Sequence, residues 1–316
     1  MRRTDSTVCE VMKFIITGAT SFIGAELTRF ALSMGDEVIA VCRKDSAGIS
    51  KLGEHPNLRI VYSELSEYAN LSGQIEKGQV FINLAWEGTG HSGRNLTDIQ
   101  QDNIAHSLEA IKVAAGTGCA LFVEAGSQAE YGTVLERISE KTSCHPFSEY
   151  GKAKLAVKEQ GSKIANALGL KYLHLRIFSL FGEEDHPWTL VMSCLKKMVN
   201  NEPIDLSPCT QNWNFLYVKD AVKQIYLLCQ YALRNSGYKA EVFNIASKDT
   251  RILKAFVDEM YSLAQSKSEL NFGAIAPTNV VSLDPDVSKT EAATGFISQY
   301  VFKDIVNHII RNYKQQ

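Results

Sequence analysis

Apolar residues along this chain fall into short unbroken runs, separated by longer stretches in which they recur every third or fourth position. The strand-length runs are Lys13 to Thr17 (KFIIT), Glu37 to Cys42 (EVIAVC), Leu58 to Tyr62 (LRIVY), Val80 to Ala85 (VFINLA), Ala120 to Ala125 (ALFVEA) and Tyr172 to Ile177 (YLHLRI). Helical spacing runs from Phe22 to Met34, where Gly35 ends it, from about Asn95 to Ala115, and from Phe147 to Leu168. Strands that are apolar throughout are buried on both faces, and helices of this length between them imply parallel neighbours. The pattern predicts an α/β fold built on a doubly wound parallel sheet.

The rhythm breaks after Arg176. From Phe181 to Asn214 the glycines, prolines and the two tryptophans Trp188 and Trp213 fall irregularly. A strand is expected again at Asn214 to Val218, then a helix to about Leu233, then a strand at Glu241 to Ala246 (EVFNIA). The expected organisation is a dinucleotide-binding sheet domain over residues 12–176, with 214–246 returning to it. Segments 177–213 and 247–316 would form a smaller, discontinuous substrate lobe.

Composition narrows the function classes. A formal net charge of -2 over 316 residues provides no basic field for nucleic acid. No apolar run is long enough to span a bilayer, so no membrane partner is expected. The seven cysteines, Cys9, Cys42, Cys119, Cys144, Cys194, Cys209 and Cys229, include no CxxC pair, and their odd number does not suit a disulfide framework. No metal site is expected. The N-terminal MRRTDSTVCEV is basic without an apolar core behind it, so it reads as an extension before a strand near Met12 and not as a signal peptide. A reduced, cytoplasmic location is the resulting expectation.

The first candidate chemistry lies directly after the first strand, at Gly18-Ala19-Thr20-Ser21-Phe22-Ile23-Gly24. A glycine-rich turn opening a helix exposes backbone N–H groups to a pyrophosphate, and the helix N-terminus adds favourable partial charge. The second strand ends in Cys42-Arg43-Lys44, where an NAD site ordinarily carries a carboxylate for the ribose hydroxyls. A guanidinium there pairs with a 2′-phosphate instead, so NADP(H) is the expected cofactor, with NAD(H) as the second choice. Further on, Tyr150 and Lys154 form a YxxxK pair; four residues along a helix place both on one face, where the ammonium brings the phenol toward its working range.

The TGxxGxxG turn resembles that of the extended short-chain dehydrogenases/reductases, the nucleotide-sugar epimerases, dehydratases and reductases, with Ser21 where the middle glycine usually stands. Ser127-Gln128-Ala129-Glu130-Tyr131-Gly132 resembles the family's S-x-x-x-Y-G segment, and Ser127 precedes Tyr150 by 23 residues, as the family shows. The resemblance implies that Ser127 polarises a substrate oxygen, Tyr150 gives or takes its proton, and Lys154 tunes Tyr150 and holds the nicotinamide ribose. It further implies adenine contacts from Glu64-Leu65, cofactor contacts from Leu84, Ala85, Trp86 and Phe178, and a bracing role for Asn103. Substrate contacts are assigned on the same footing to Glu87, Arg94, Gln128, Ser179, His186 and Trp213.

Departures from the family pattern separate its branches. Dehydratases carry Asp-Glu after the catalytic serine or threonine, where this chain has Gln128 and Ala129. Reductive epimerases of the fucose-synthase kind keep a cysteine where Ala129 stands, although His186 lies where their histidine is expected. Trp213 replaces an arginine, Ser179 an asparagine, and no arginine lies between Ile252 and Tyr300, where a diphosphate clamp is frequent. A 4-ketosugar reductase acting on a sugar nucleotide is the function expected, ahead of an NAD-dependent 4-epimerase or a non-catalytic dinucleotide-binding regulator. The resemblance also implies a homodimer through the two long helices, burying Ile104, Leu108 and Ile111.

Overall fold

The computed structural model describes residues 11–90, 92–276 and 281–315. The expected N-terminal extension, through residue 10, lies outside the described residues. Seven strands form one sheet: β1 (Lys13–Thr17), β2 (Glu37–Cys42), β3 (Leu58–Tyr62), β4 (Val80–Asn83), β5 (Leu121–Ser127), β6 (Lys171–Ile177) and β10 (Ala240–Ile245). Their order is β10-β6-β5-β4-β1-β2-β3, with every neighbouring pair parallel. This is the Rossmann-like sheet that the unbroken apolar runs predict.

Alternation along β1 shows how both faces are filled. Phe14 and Ile16 face a core with Leu27 and Ala31 of α1 (Phe22–Ser33) and Ile225 and Leu228 of α5 (Val218–Arg234). Ile15, between them, faces Ile39, Phe81 and Phe122 in a second core, closed by α2 (Thr97–Gly116) and α3 (Glu149–Ala167). There the rings of Phe81, Phe122 and Tyr172 stack across three neighbouring strands at 5.5 and 6.0 Å. Ile111 of α2 is wholly buried in this core and would meet any Cβ placed at Gly161 of α3. The expectation that Ile111 lies in a dimer contact is therefore corrected: its side chain is used inside the chain.

The remaining elements build a second body. Strand β9 (Asn212–Tyr217) pairs with β7 (Ser179–Phe181) and β11 (Thr250–Ile252), while β8 (Ile204–Leu206) pairs with β12 (Leu270–Phe272). Around them pack α4 (Leu190–Asn200), α6 (Leu253–Ala264) and α8 (Phe302–Lys314), joined by Phe181, Phe215, Phe256 and Phe302. The strand expected to return to the main sheet at Asn214 thus belongs to the small sheet; the return is made by α5 and β10. Strand β9 serves both bodies, because Phe215 and Tyr217 enter the lobe's core while Leu216, on the other side, enters that of the main sheet. The short α7 (Ser288–Thr294) packs on α5 and β10. Among the described residues no helix is long and apolar enough to cross a membrane.

Candidate active site

Strand order reverses between β1 and β4, so the connections leaving their C-terminal ends go to opposite faces and open a crevice. The β1–α1 turn fills one side of it. Gly18 has φ +65°, and a Cβ there would lie 2.8 Å from the backbone N of Ala85 at the end of β4. A Cβ on Gly24 would lie 2.2 Å from the Gly18 carbonyl oxygen. Both positions thus require glycine. Ser21 does not: its backbone is extended at φ -70° and ψ 169°, and its hydroxyl accepts from the Gly24 N–H at 3.1 Å, capping α1. Serine in place of the middle glycine therefore keeps the turn's shape and holds the helix N-terminus at the crevice. Thr20 is joined to Ser46 by a 2.7 Å hydroxyl pair, while Arg43 and Lys44 stand exposed beyond β2 with no ion pair among the described residues. A close-packed glycine cradle and a capped helix start, with two exposed cations beyond β2, are a donor set that fits the pyrophosphate of a dinucleotide.

The opposite wall is built by β5 and α3. Ser127 ends β5, and its hydroxyl accepts from Ala129 N–H at 3.1 Å, while the carboxylate of Glu130 accepts from Ser127 N–H at 2.8 Å. This reciprocal cap fixes the serine at the strand end. Tyr150 is half-buried in the first turn of α3, which Ser148 caps by accepting from Gly151 N–H at 3.1 Å. The phenol of Tyr150 lies beside Ser127; burial raises its pKa, opposed by the Arg94 guanidinium and by Ser127. Arg94 lies 4.4 Å above the Tyr150 ring, and its carbonyl accepts from Tyr150 N–H at 2.8 Å.

Lys154 is buried one turn further along. Its ammonium donates to the Ala125 carbonyl at 2.6 Å, sits 3.4 Å from the centre of the Trp86 ring and lies 5.9 Å from that of Tyr150. Burial pushes its pKa down to about 8 against the pull of Glu124 and Glu130. Trp86 meets Tyr150 edge-on at 5.9 Å and donates to Gln100 at 2.9 Å. Asn103 braces the β4–α2 loop, accepting from Glu87 N–H at 3.0 Å and donating to its carbonyl at 2.9 Å.

Other expected residues stand apart from this cluster. Phe178 is buried with Tyr131, Ile138, Ala246, Leu283 and Val287, so its ring is core packing. Leu84 likewise belongs to the core, and Leu65 packs against the second core. Glu64 is exposed and caps the turn after β3. His186 is exposed and stacks on Trp188 at 4.3 Å, without contact to Ser127 or Tyr150 among the described interactions. Ser179 and Gln128 are half-buried, and Glu87 is exposed. Trp213 packs between two cores, opposite Arg251 across the β9–β11 pair. Arg251, just outside the arginine-free interval, is held by Asp249 and Glu259 at 2.5 and 2.8 Å and leaves no free guanidinium there.

Two buried acids were not singled out from the sequence. Glu130 accepts from His174 at 2.9 Å and from Arg176 at 2.8 Å. Burial would raise its pKa, but the charges of His174 and Arg176 outweigh that and hold it at about 2. Its signal was legible as the S-x-x-E cap of Ser127. Glu124 lies inside β5, marked only as an acidic residue in an otherwise apolar run. No cluster of metal-ligating side chains occurs among the described residues.

The model of the NAD dependent epimerase/dehydratase family matches residues 14–246, and the chain belongs to this family. The chain is 23% identical over 297 residues to the CDP-abequose synthase of Salmonella muenchen, covering 91% of each. It is 23% identical to the dTDP-4-dehydro-6-deoxyglucose reductase of Escherichia coli, over 95% of this chain and 97% of that one. The structure of UDP-glucuronic acid 4-epimerase from Bacillus cereus, in complex with UDP-glucuronic acid and NAD, superimposes with a TM-score of 0.82 at 18% identity, over 96% of this chain and 99% of that one. That likeness is one of fold.

Proposed function

We propose that this protein is an NADP(H)-dependent reductase of a keto group on a nucleotide-linked sugar, most simply a 4-ketosugar reductase. The observation that carries the reading is the placement of Ser127 at the end of β5 beside the Tyr150 phenol, with the Lys154 ammonium 5.9 Å from the centre of the Tyr150 ring. Bound in the crevice, the dinucleotide would supply a hydride. Gly18 and Gly24 admit its pyrophosphate to the backbone at the start of α1, and Arg43 and Lys44 neutralise a 2′-phosphate. Ser127 holds the substrate oxygen, and Tyr150 donates the proton that the oxygen needs as the carbonyl becomes an alcohol. Burial keeps the phenol protonated, which suits a donor, and the Arg94 guanidinium stabilises the charge left after the transfer, with the Lys154 ammonium 5.9 Å from the ring centre.

Reduction is favoured over a redox-neutral epimerisation by the basic end of β2, since a reductase consumes cofactor stoichiometrically and suits NADPH. The name of the Escherichia coli relative supports a dehydro-sugar as substrate. Gln128 and Ala129, neither able to exchange a proton, speak against dehydration. The proposed setting is the cytoplasm and the proposed assembly a homodimer. Turnover and binding with NADPH and NADH test the cofactor assignment: NADPH should bind tighter, and Arg43→Ala should erase the difference. Equal affinities in the native protein would sink it.

A further inference from the structure

We propose that Glu124 is a positioning residue for Lys154, a fully buried carboxylate that keeps the neighbouring ammonium charged in a desolvated site and sets the upper pH limit of its action. The inference rests on the role given above to Lys154. Glu124 and Lys154 are 0% and 3% exposed, with Oε1 of Glu124 and Nζ of Lys154 3.7 Å apart. Oε2 of Glu124 accepts from Asn83 at 2.9 Å, and Asn83 in turn accepts from the Thr17 hydroxyl at 2.7 Å. Among the described residues Oε1 accepts no hydrogen bond, so the charge of Lys154 is what faces it. A leucine would serve the sheet better than a half-satisfied carboxylate, because a buried charge is costly unless a partner offsets it. The other contacts of Lys154, the Ala125 carbonyl and the Trp86 ring, carry no formal charge.

The surroundings leave few competitors. Facing Glu124 are Lys154 and Tyr150 from α3, His174 and Tyr172 from β6, Tyr68 from the turn after β3, and Glu130 from the turn after β5. His174 is within hydrogen-bond reach of Glu130, which leaves Lys154 as the cation in contact with Glu124 among the described residues. Burial lowers the pKa of Lys154, and Glu124 opposes that fall. The ammonium is present below its pKa and lost as pH rises through it. Removing the carboxylate therefore moves the loss to lower pH.

Glu124→Gln keeps an oxygen for Asn83 and removes only the charge. Competitive labelling of Lys154 with an amine-reactive anhydride across pH, read by mass spectrometry, gives its titration directly. The midpoint in Glu124→Gln should fall about one pH unit or more below that of the native protein. NADPH affinity should drop about fivefold or more at the native midpoint and change little two units below it. Coincident midpoints would overturn the proposal. Should Glu124→Gln not fold, Lys154→Met provides the reciprocal test: Glu124, deprived of its cation, should become protonated at neutral pH and add a carboxylic-acid band to the infrared spectrum. No added band would overturn the pairing. Neither readout needs turnover, so failure to reduce a ketosugar would count against the assigned reaction and not against this pair.

Discussion

Glu130 shows how one residue outside the reacting atoms decides where a reacting residue stands. Its carboxylate takes the Ser127 N–H, the His174 ring and the Arg176 guanidinium, all with negligible exposure. Arg176 then lies 4.4 Å over the ring of Tyr131, whose hydroxyl donates to Asn244 at 2.6 Å, tying β5 to β6 and β10. Because Glu130 is held at about 2, its contribution to stability is present above the ordinary glutamate range and is lost as pH falls toward 2. Glu130→Gln leaves Arg176 buried without its counter-charge and should cost about 3–5 kcal/mol in urea unfolding at neutral pH. A loss below about 1 kcal/mol would contradict this account of the network. Tyr150 and Lys154 are legible in the sequence from their helical spacing, and Ser127 from its place in the segment that resembles the family's S-x-x-x-Y-G. Glu124 is marked there only as an acid in an apolar run, which does not say what charge would partner it.

At the scale of elements, the turn between β1 and α1 is where sequence and structure meet most closely. Gly18 and Gly24 are fixed by backbone approach, whereas the intervening Ser21 is fixed by capping. Gly24→Ala should therefore open the turn and weaken NADPH binding by about tenfold or more, since its Cβ would overlap the Gly18 carbonyl. Ser21→Gly should cost only a few tenths of a kcal/mol in stability and leave binding nearly unchanged. Calorimetric titration of both variants checks the pair, and equal losses would contradict the division of roles. The main-sheet strands were legible because each is apolar throughout. Strands β7, β8, β11 and β12 were not, because three residues are too few to show a period. Helix α4 does carry a stripe, Val191, Cys194, Leu195 and Met198, but Trp188 and the prolines around it masked the spacing.

For the whole molecule, the small sheet and the lobe's aromatic core join segments far apart in the sequence, which no local pattern encodes. The same limit applies to assembly. With Ile111 committed to the chain's own core, a homodimer through α2 and α3 has to use the half-buried Ile104 and Leu108. Light scattering should give twice the chain mass at micromolar concentration, and Ile104→Asp should return it to the monomer; a native monomer would contradict the proposed dimer. The central claim, a net reduction with Tyr150 as proton donor, is tested most directly by isotope transfer. dTDP-4-dehydro-6-deoxyglucose and its CDP counterpart would each be incubated with NADPH deuterated at the transferable position. One NADPH should be oxidised per product, with deuterium on the former carbonyl carbon, and Tyr150→Phe should lose about 100- to 10,000-fold in rate. Inversion of a sugar hydroxyl without NADPH consumption, or a Tyr150→Phe enzyme keeping more than about a tenth of the native rate, a barrier change under about 1.4 kcal/mol, would contradict it.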